Sequence, residues 1–275
     1  MHVTLMSGAG NLFAMLDGFA GELPRHLPAV ARAICAELEP RPDGLLIATK
    51  PAFGGDCAMV LYNADGSRAE MCGNGLRCVA KLVVERGHVQ KDEFVIESDA
   101  GPRPTAVERT DGKVVGARVH MGTPKILARD VAIPIDAPTP GTIVKGTLVD
   151  VGNPHCVVFV DDERTALVES QGPRIEKHAL FPRGTNVEFL AVRSARVHVR
   201  VWERGVGETQ ACGSGAVAAA LAAVERGLAL YPVRIELPGG TLTVDSDGAG
   251  GAFLAGPVKE HESFDWSRDM TAREV

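Results

Sequence analysis

Short segments in which apolar and polar residues alternate recur along the chain, as in "DGLLIATKP", "KVVGARVHMG", "IVKGTLVDVG", "HCVVFVDD", "NVEFLAV" and "TLTVDSD". A two-residue period predicts strands with one face on a core. Two runs break the pattern. Val79 to Val84 and Ala216 to Val224 carry apolar or small residues at most positions and predict buried helices. Each opens after Cys-Gly-x-Gly and stops at Glu-Arg-Gly, where Gly87 and Gly227 suit a helix C-terminal cap.

These runs belong to a longer repeat. "MVLYNADGSRAEMCGNG" lies over "VRVWERGVGETQACGSG" at an offset of 140 residues, about half of the 275-residue chain. In both, an alternating segment ends in an aromatic residue, Tyr62 or Trp202, before a glycine-containing loop. "EFVIES" and "VRIEL" follow the helical runs as further strands. A repeat this long and divergent indicates duplication into two similar lobes, not a solenoid. The expected class is α+β: two pseudo-symmetric lobes, each a curved, mostly antiparallel sheet wrapped around one central helix, with an active site in the cleft between them. The expected boundaries are 1–117 for the lobe carrying Cys72, with 258–275 returning to it, and 118–257 for the lobe carrying Cys212.

Composition narrows the classes. A formal charge of −6 argues against a nucleic-acid surface. No apolar run approaches the ~18–20 residues that span a bilayer, so no membrane partner is expected. "MHVTLMSGAGNLF" has no basic head followed by an apolar block, so the expected location is the cytoplasm. Six cysteines in such a chain do not form a disulfide framework. Buried cysteines are ordinarily apolar filler, but Cys72 and Cys212 stand at helix starts.

A thiol there meets the positive end of the helix dipole, which favours anions by about 0.3–1 kcal/mol. That would lower a free thiol by about one pKa unit. The glycines behind each cysteine leave bare N–H groups to hold a carboxylate. One such turn could serve a nucleophile, a metal or a redox couple; two matched turns suggest a site with two faces. Inversion at a carbon bearing an acidic hydrogen needs that arrangement, with one thiolate removing a proton and one thiol returning another. No lysine occupies a matched or glycine-cradled position, so no pyridoxal or other cofactor, and no metal, is expected.

The ordered blocks "GAGNLF", "YNADGS", "MCGNGLRC", "GNPHCVVFV", "NVEF" and "ERGVGETQACGSGA" resemble the diaminopimelate epimerase family over most of the chain. The resemblance implies a cofactor-independent isomerase interconverting LL- and meso-2,6-diaminopimelate, in lysine and peptidoglycan-precursor biosynthesis. Cys72 and Cys212 are then the acid/base thiols, with His155 and Glu203 setting their protonation. It implies that the turns Gly73-Asn74 and Gly213-Ser214 bind the reacting carboxylate. Asn11, Asn63, Asn153, Asn186, Glu203 and Arg204 complete the substrate site, Arg204 on the distal carboxylate. The partners implied are a small amino-acid substrate and a second copy in a homodimer.

Three positions depart from the family pattern: Leu12 in "GNLF" where aspartate is usual, "AELEPRPDGLL" without its glycine-rich lead-in, and Ser214 for the commoner threonine. The alternative is a racemase of the same fold acting on another amino acid, histidine- or proline-type. A zinc module from Cys72, Cys78, His155 and Cys156 has an over-wide Cys-x5-Cys spacing. A redox pair of Cys72 and Cys212 is compatible with the enzyme.

Overall fold

Alternation gives a strand two usable faces, and some strands here bury both: Leu45 and Ile47 pack into one core, Leu46 and Ala48 into another. The computed structural model describes residues 1–193 and 196–267. Contacts divide the chain into two units, Met1–Val119 with the described chain from Gly256, and His120–Ala255. The first unit holds β1 (His2–Gly8), β2 (Asn11–Asp17), α1 (Leu27–Glu37), β3 (Gly44–Thr49), β4 (Cys57–Asn63), β5 (Arg68–Ala69), α2 (Gly73–Glu85), β6 (Glu93–Ser98), β7 (Gly101–Thr110) and β8 (Lys113–His120). In the second come β9 (Lys125–Ile135), β10 (Thr142–Asp150), β11 (Pro154–Phe159), α3 (Val168–Glu176), β12 (Asn186–Arg193), β13 (Arg196–Glu203) and β14 (Gly207–Thr209). It continues through α4 (Gly213–Glu225), β15 (Val233–Leu237), β16 (Gly240–Ser246) and β17 (Ala252–Pro257); β18 (Lys259–Asp265) belongs to the first unit.

The strands of the first unit lie in the order β18, β1, β2, β3, β4, β6, β7, β8, with β5 beside β4. Only β2–β3 and β4–β6 among these pairs run parallel. The second unit repeats the plan as β9, β10, β11, β12, β13, β15, β16, β17, with β14 beside β13. Its parallel pairs are β11–β12 and β13–β15. The strand β18 thus takes in the first unit the place β9 takes in the second. The α+β class with two like units and mostly antiparallel sheets is the one the repeat predicted.

One helix per half was expected, and each sheet carries two. A parallel pair needs a crossover, and each of the four crossovers contains a helix. In the first unit Met6, Phe13, Met15, Leu46 and Leu61 pack with α2, while Leu5, Ala14, Leu16, Leu45 and Ile47 pack with α1. In the second, Cys156, Val158, Val187 and Phe189 pack with Val168 and Ile175 of α3. The buried helices end as the glycines implied. His88 N–H donates to Val83 O and Leu228 N–H to Ala223 O, each at 2.9 Å, around Gly87 and Gly227 at φ 76° and 70°.

Candidate active site

Cys72 and Cys212 cap α2 and α4 with nearly the same backbone, φ −140°, ψ 119° and φ −129°, ψ 117°. Their carbonyls accept the first helical bonds from Leu76 and Ala216, both at 2.9 Å. The N–H groups of the turns that follow have no partner within their helix, as at any helix start. The helices sit against their sheets so closely that a Cβ on Gly75 would lie 3.1 Å from Leu46 Cδ1. On Gly215 it would lie 2.8 Å from Glu188 Oε1. The approach excludes a side chain at Gly215 and leaves little room for one at Gly75.

Around Cys72, itself half-buried, the predicted residues Asn11 and Asn74 meet: Asn74 Nδ2 donates to Asn11 Oδ1 at 2.6 Å. Asn74 Oδ1 accepts from Arg77 Nη2 at 2.8 Å, and Gly73 O accepts from Arg77 Nη1 at 3.2 Å. Asp43, from the altered lead-in, accepts from Asn11 Nδ2 at 3.2 Å and from Leu12 N–H at 2.9 Å. The carboxylate thus comes from the lead-in while Leu12 packs against the α1 core. Asn63 ends β4 exposed, its Nδ2 donating to Ser67 Oγ at 2.9 Å.

Around Cys212 the predicted residues of the second unit form one connected set. His155 Nε2 is 3.0 Å from Asn153 Oδ1, and Asn153 Nδ2 lies 3.5 Å from Ser214 Oγ. Ser214 Oγ is in turn 3.5 Å from Cys212 Sγ, and Gly215 N–H donates to that sulfur at 3.4 Å. Glu203 Oε1 accepts from Thr209 Oγ1 at 2.6 Å, and the Glu203 carboxylate is also hydrogen-bonded to Cys212. Asn186 braces the loop end of β13: its Nδ2 donates to Pro154 O and its Oδ1 accepts from Arg204 N–H, both at 3.0 Å. The Arg204 side chain is exposed, with Nη1 donating to Arg183 O at 3.1 Å.

The acidity of Cys212 runs against the sequence expectation. Burial pushes the thiol well above its ordinary value, and the carboxylates of Glu203 and Glu188 push further in the same direction. The bonds from Ser214 and Gly215 oppose this and do not prevail. A helix end shifts a thiol by about one unit, whereas full burial moves a group by up to 3–5. Glu203 is also raised, first by burial and then by Glu188, against the bonds from Thr209 and Cys212.

Three residues around these centres were not among the predicted set. Glu188 is fully buried, with Oε1 2.7 Å from His155 Nδ1 and Oε2 without a partner. Arg77 is fully buried one turn into α2. Glu176 Oε2 accepts from Trp202 Nε1 at 2.7 Å and Oε1 from Gly205 N–H at 3.0 Å, holding the Glu203-Arg204 turn. A charged residue inside an apolar run was the available signal for the first two. The zinc alternative finds no ligand set: among the described residues no three His, Cys, Asp or Glu side chains are grouped to hold an ion. Cys78 is buried in the α2 core, its thiol pushed up to about 12 by burial, and Cys156 faces α3. None of the six cysteines is in a disulfide.

Comparison with known proteins gives the family and the fold. The family model described as diaminopimelate epimerase matches residues 3–127 and 147–260. The chain is 40% identical over 271 residues to the diaminopimelate epimerase of Desulfitobacterium hafniense, covering 94% of this chain and 95% of that one. With the Desulforudis audaxviator enzyme of the same name it shares 41% over 280 residues, covering 98% and 100%. Among solved structures, a PhzF-family phenazine biosynthesis protein from Bacillus anthracis superposes with TM-score 0.74 at 15% identity, over 96% of this chain and 98% of that one. A hydroxyproline epimerase from Agrobacterium vitis gives 0.71 at 18%, over 96% and 90%. These two likenesses are of fold. The sequence matches decide the family: this chain belongs to the diaminopimelate epimerases.

Proposed function

We propose that the chain interconverts LL- and meso-2,6-diaminopimelate, with Cys72 and Cys212 as the two acid/base groups. The observation that supports this most is a cysteine capping a buried helix twice, once in each of two units with the same strand plan. One sulfur, as thiolate, takes the α-proton, and the C–H electron pair stays on the α-carbon, stabilised through the carboxylate. The other sulfur, as thiol, delivers its proton to the opposite face. The configuration inverts and the two sulfurs exchange protonation states.

Charge building on the carboxylate is met by N–H groups of the Gly73-Asn74 and Gly213-Ser214 turns. His155 and Glu203 tune Cys212. Arg204 receives the distal carboxylate through its planar fork, while Asn11, Asn63, Asn153 and Asn186 complete the pocket. A cofactor-free cytoplasmic homodimer and a place in lysine and peptidoglycan-precursor biosynthesis complete the reading.

The test is isotope exchange. LL-diaminopimelate incubated with the protein in heavy water should yield the meso isomer carrying one deuterium at the inverted α-carbon. Histidine, proline and hydroxyproline should remain unlabelled. Labelling of one of these with diaminopimelate untouched would move the chain to the racemase reading.

A further inference from the structure

The two cysteine turns share a backbone and differ in charge. In the β3–β4 pair Leu46 stands opposite Leu61, and in the β12–β13 pair Glu188 stands opposite Val201, which is 140 residues after Leu61. A Cβ on Gly75 meets Leu46, whereas one on Gly215 meets Glu188, so Leu46 and Glu188 occupy equivalent places. By the same register Phe13, opposite Gly44, corresponds to His155, opposite Asn186. Five residues after each cysteine stand Arg77 and Val217. The Cys212 turn thus has two carboxylates and a histidine around it, and the Cys72 turn has apolar side chains, the neutral amides of Asn11 and Asn74, and one guanidinium.

That guanidinium lacks a counter-ion. Arg77 is 0% exposed; its acceptors are the neutral oxygens Gly73 O and Asn74 Oδ1, and its Nε has no partner. Among the described residues no carboxylate forms an ion pair with it. A buried cation is costly unless a negative charge answers it. The titratable neighbours around the first turn of α2 are few. Cys78 is a neutral thiol in the core, and Asp43 lies at the far end of the Asn74–Asn11 chain. The β1 and β3 sides contribute Gly8 and Leu46. Cys72 is the anion-forming group left.

Resting on the two-thiol reading above, we propose that Arg77 is a positioning residue that makes Cys72 the thiolate of the resting enzyme and leaves Cys212 the thiol. The weakened acidity of Cys212, from burial and then Glu203 and Glu188, supports the same polarity. His155, in the same connected set, has its Nδ1 2.7 Å from Glu188 Oε1 and so is engaged by that carboxylate.

The test is site-resolved alkylation of the substrate-free protein by limiting iodoacetamide between pH 6 and 10, read by mass spectrometry. The midpoint of each pH profile is compared, since absolute rates also reflect exposure. In the wild type the Cys72 midpoint should lie below the free-thiol value of ~8.5 and that of Cys212 above it. Arg77→Met should raise the Cys72 midpoint by about one unit or more, and Arg77→Lys should restore most of the shift. A Cys72 midpoint at or above that of Cys212 in the wild type overturns the proposal, whether or not the variants fold. So does a Cys72 profile that Arg77→Met leaves unchanged. No substrate enters, so failure of the heavy-water exchange would remove the function while leaving this polarity standing.

Discussion

His155 Nδ1 and Glu188 Oε1 lie 2.7 Å apart with both side chains closed to solvent. The pair joins β11 to β12 beneath the Cys212 turn, at the places where the first unit has Phe13 and Leu46. Glu188→Leu should therefore cost about 3–5 kcal/mol, because it leaves the histidine buried without its partner. Adding His155→Phe, which reproduces the first unit's apolar pair, should recover most of that loss. Urea unfolding of the two single variants and the double gives the coupling. A double variant as unstable as the sum of the singles would show the pair to be independent.

The glycines behind the cysteines should respond unequally to alanine. At Gly215 a methyl would lie 2.8 Å from Glu188 Oε1, which His155 pins, and 3.2 Å from Cys212 Cβ. At Gly75 it would press on the methyl ends of Leu46 at 3.1 and 3.2 Å, which can turn aside. Overpacking of the first kind costs about 1–3 kcal/mol, and alanine's helix preference returns up to ~1. Thermal unfolding should show Gly215→Ala clearly below wild type and Gly75→Ala near it. The reverse order would contradict this packing.

Glu203 makes stability depend on pH with a definite sign. Its carboxyl is raised above the ordinary value, by burial first. The folded state therefore holds its proton more tightly than the unfolded chain, and stability falls as pH rises from the ordinary carboxyl value through the raised one. Glu203→Gln removes this dependence. Its unfolding free energy relative to wild type should improve from pH 4 to pH 7, and a flat difference across that range would count against the shift.

Cys72→Ser and Cys212→Ser should each abolish epimerisation with the far-ultraviolet circular dichroism unchanged. Serine nearly matches the shape but is too weak an acid to share proton transfer with a thiol. Near-wild-type turnover by either variant would end the two-base scheme.

Arg204→Lys tests substrate choice. Lysine keeps the charge and loses the planar fork. The expected loss in kcat/KM is about 1–3 kcal/mol for diaminopimelate, less than the ~2–5 of full truncation. For a monocarboxylic amino acid, where any turnover is measurable, the loss should be small. Equal losses on both would mean that Arg204 supports the turn, through Arg183 O and Gly184, and reads no second carboxylate.

Local patterns determined what local patterns can express. Alternation marked most of the strands, unbroken small and apolar runs marked α2 and α4, and the Cys-Gly-x-Gly turns announced their starts. The 140-residue repeat carried the two-unit plan, and the ordered motifs carried the family. Two of the four crossover helices were not legible: α1 (Leu27–Glu37) and α3 (Val168–Glu176) exist because β2–β3 and β11–β12 run parallel, and strand direction is decided by partners distant in sequence. The acidity of Cys212 was read in the wrong direction from the helix end alone. Its sign comes first from the exclusion of water by everything packed around it, and then from Glu203 and Glu188, brought in by β13 and β12. A sequence names the charges, but only the tertiary structure sets their separations and their access to solvent. That is why the cysteines could be found from the chain, and why their unequal electrostatic surroundings could not.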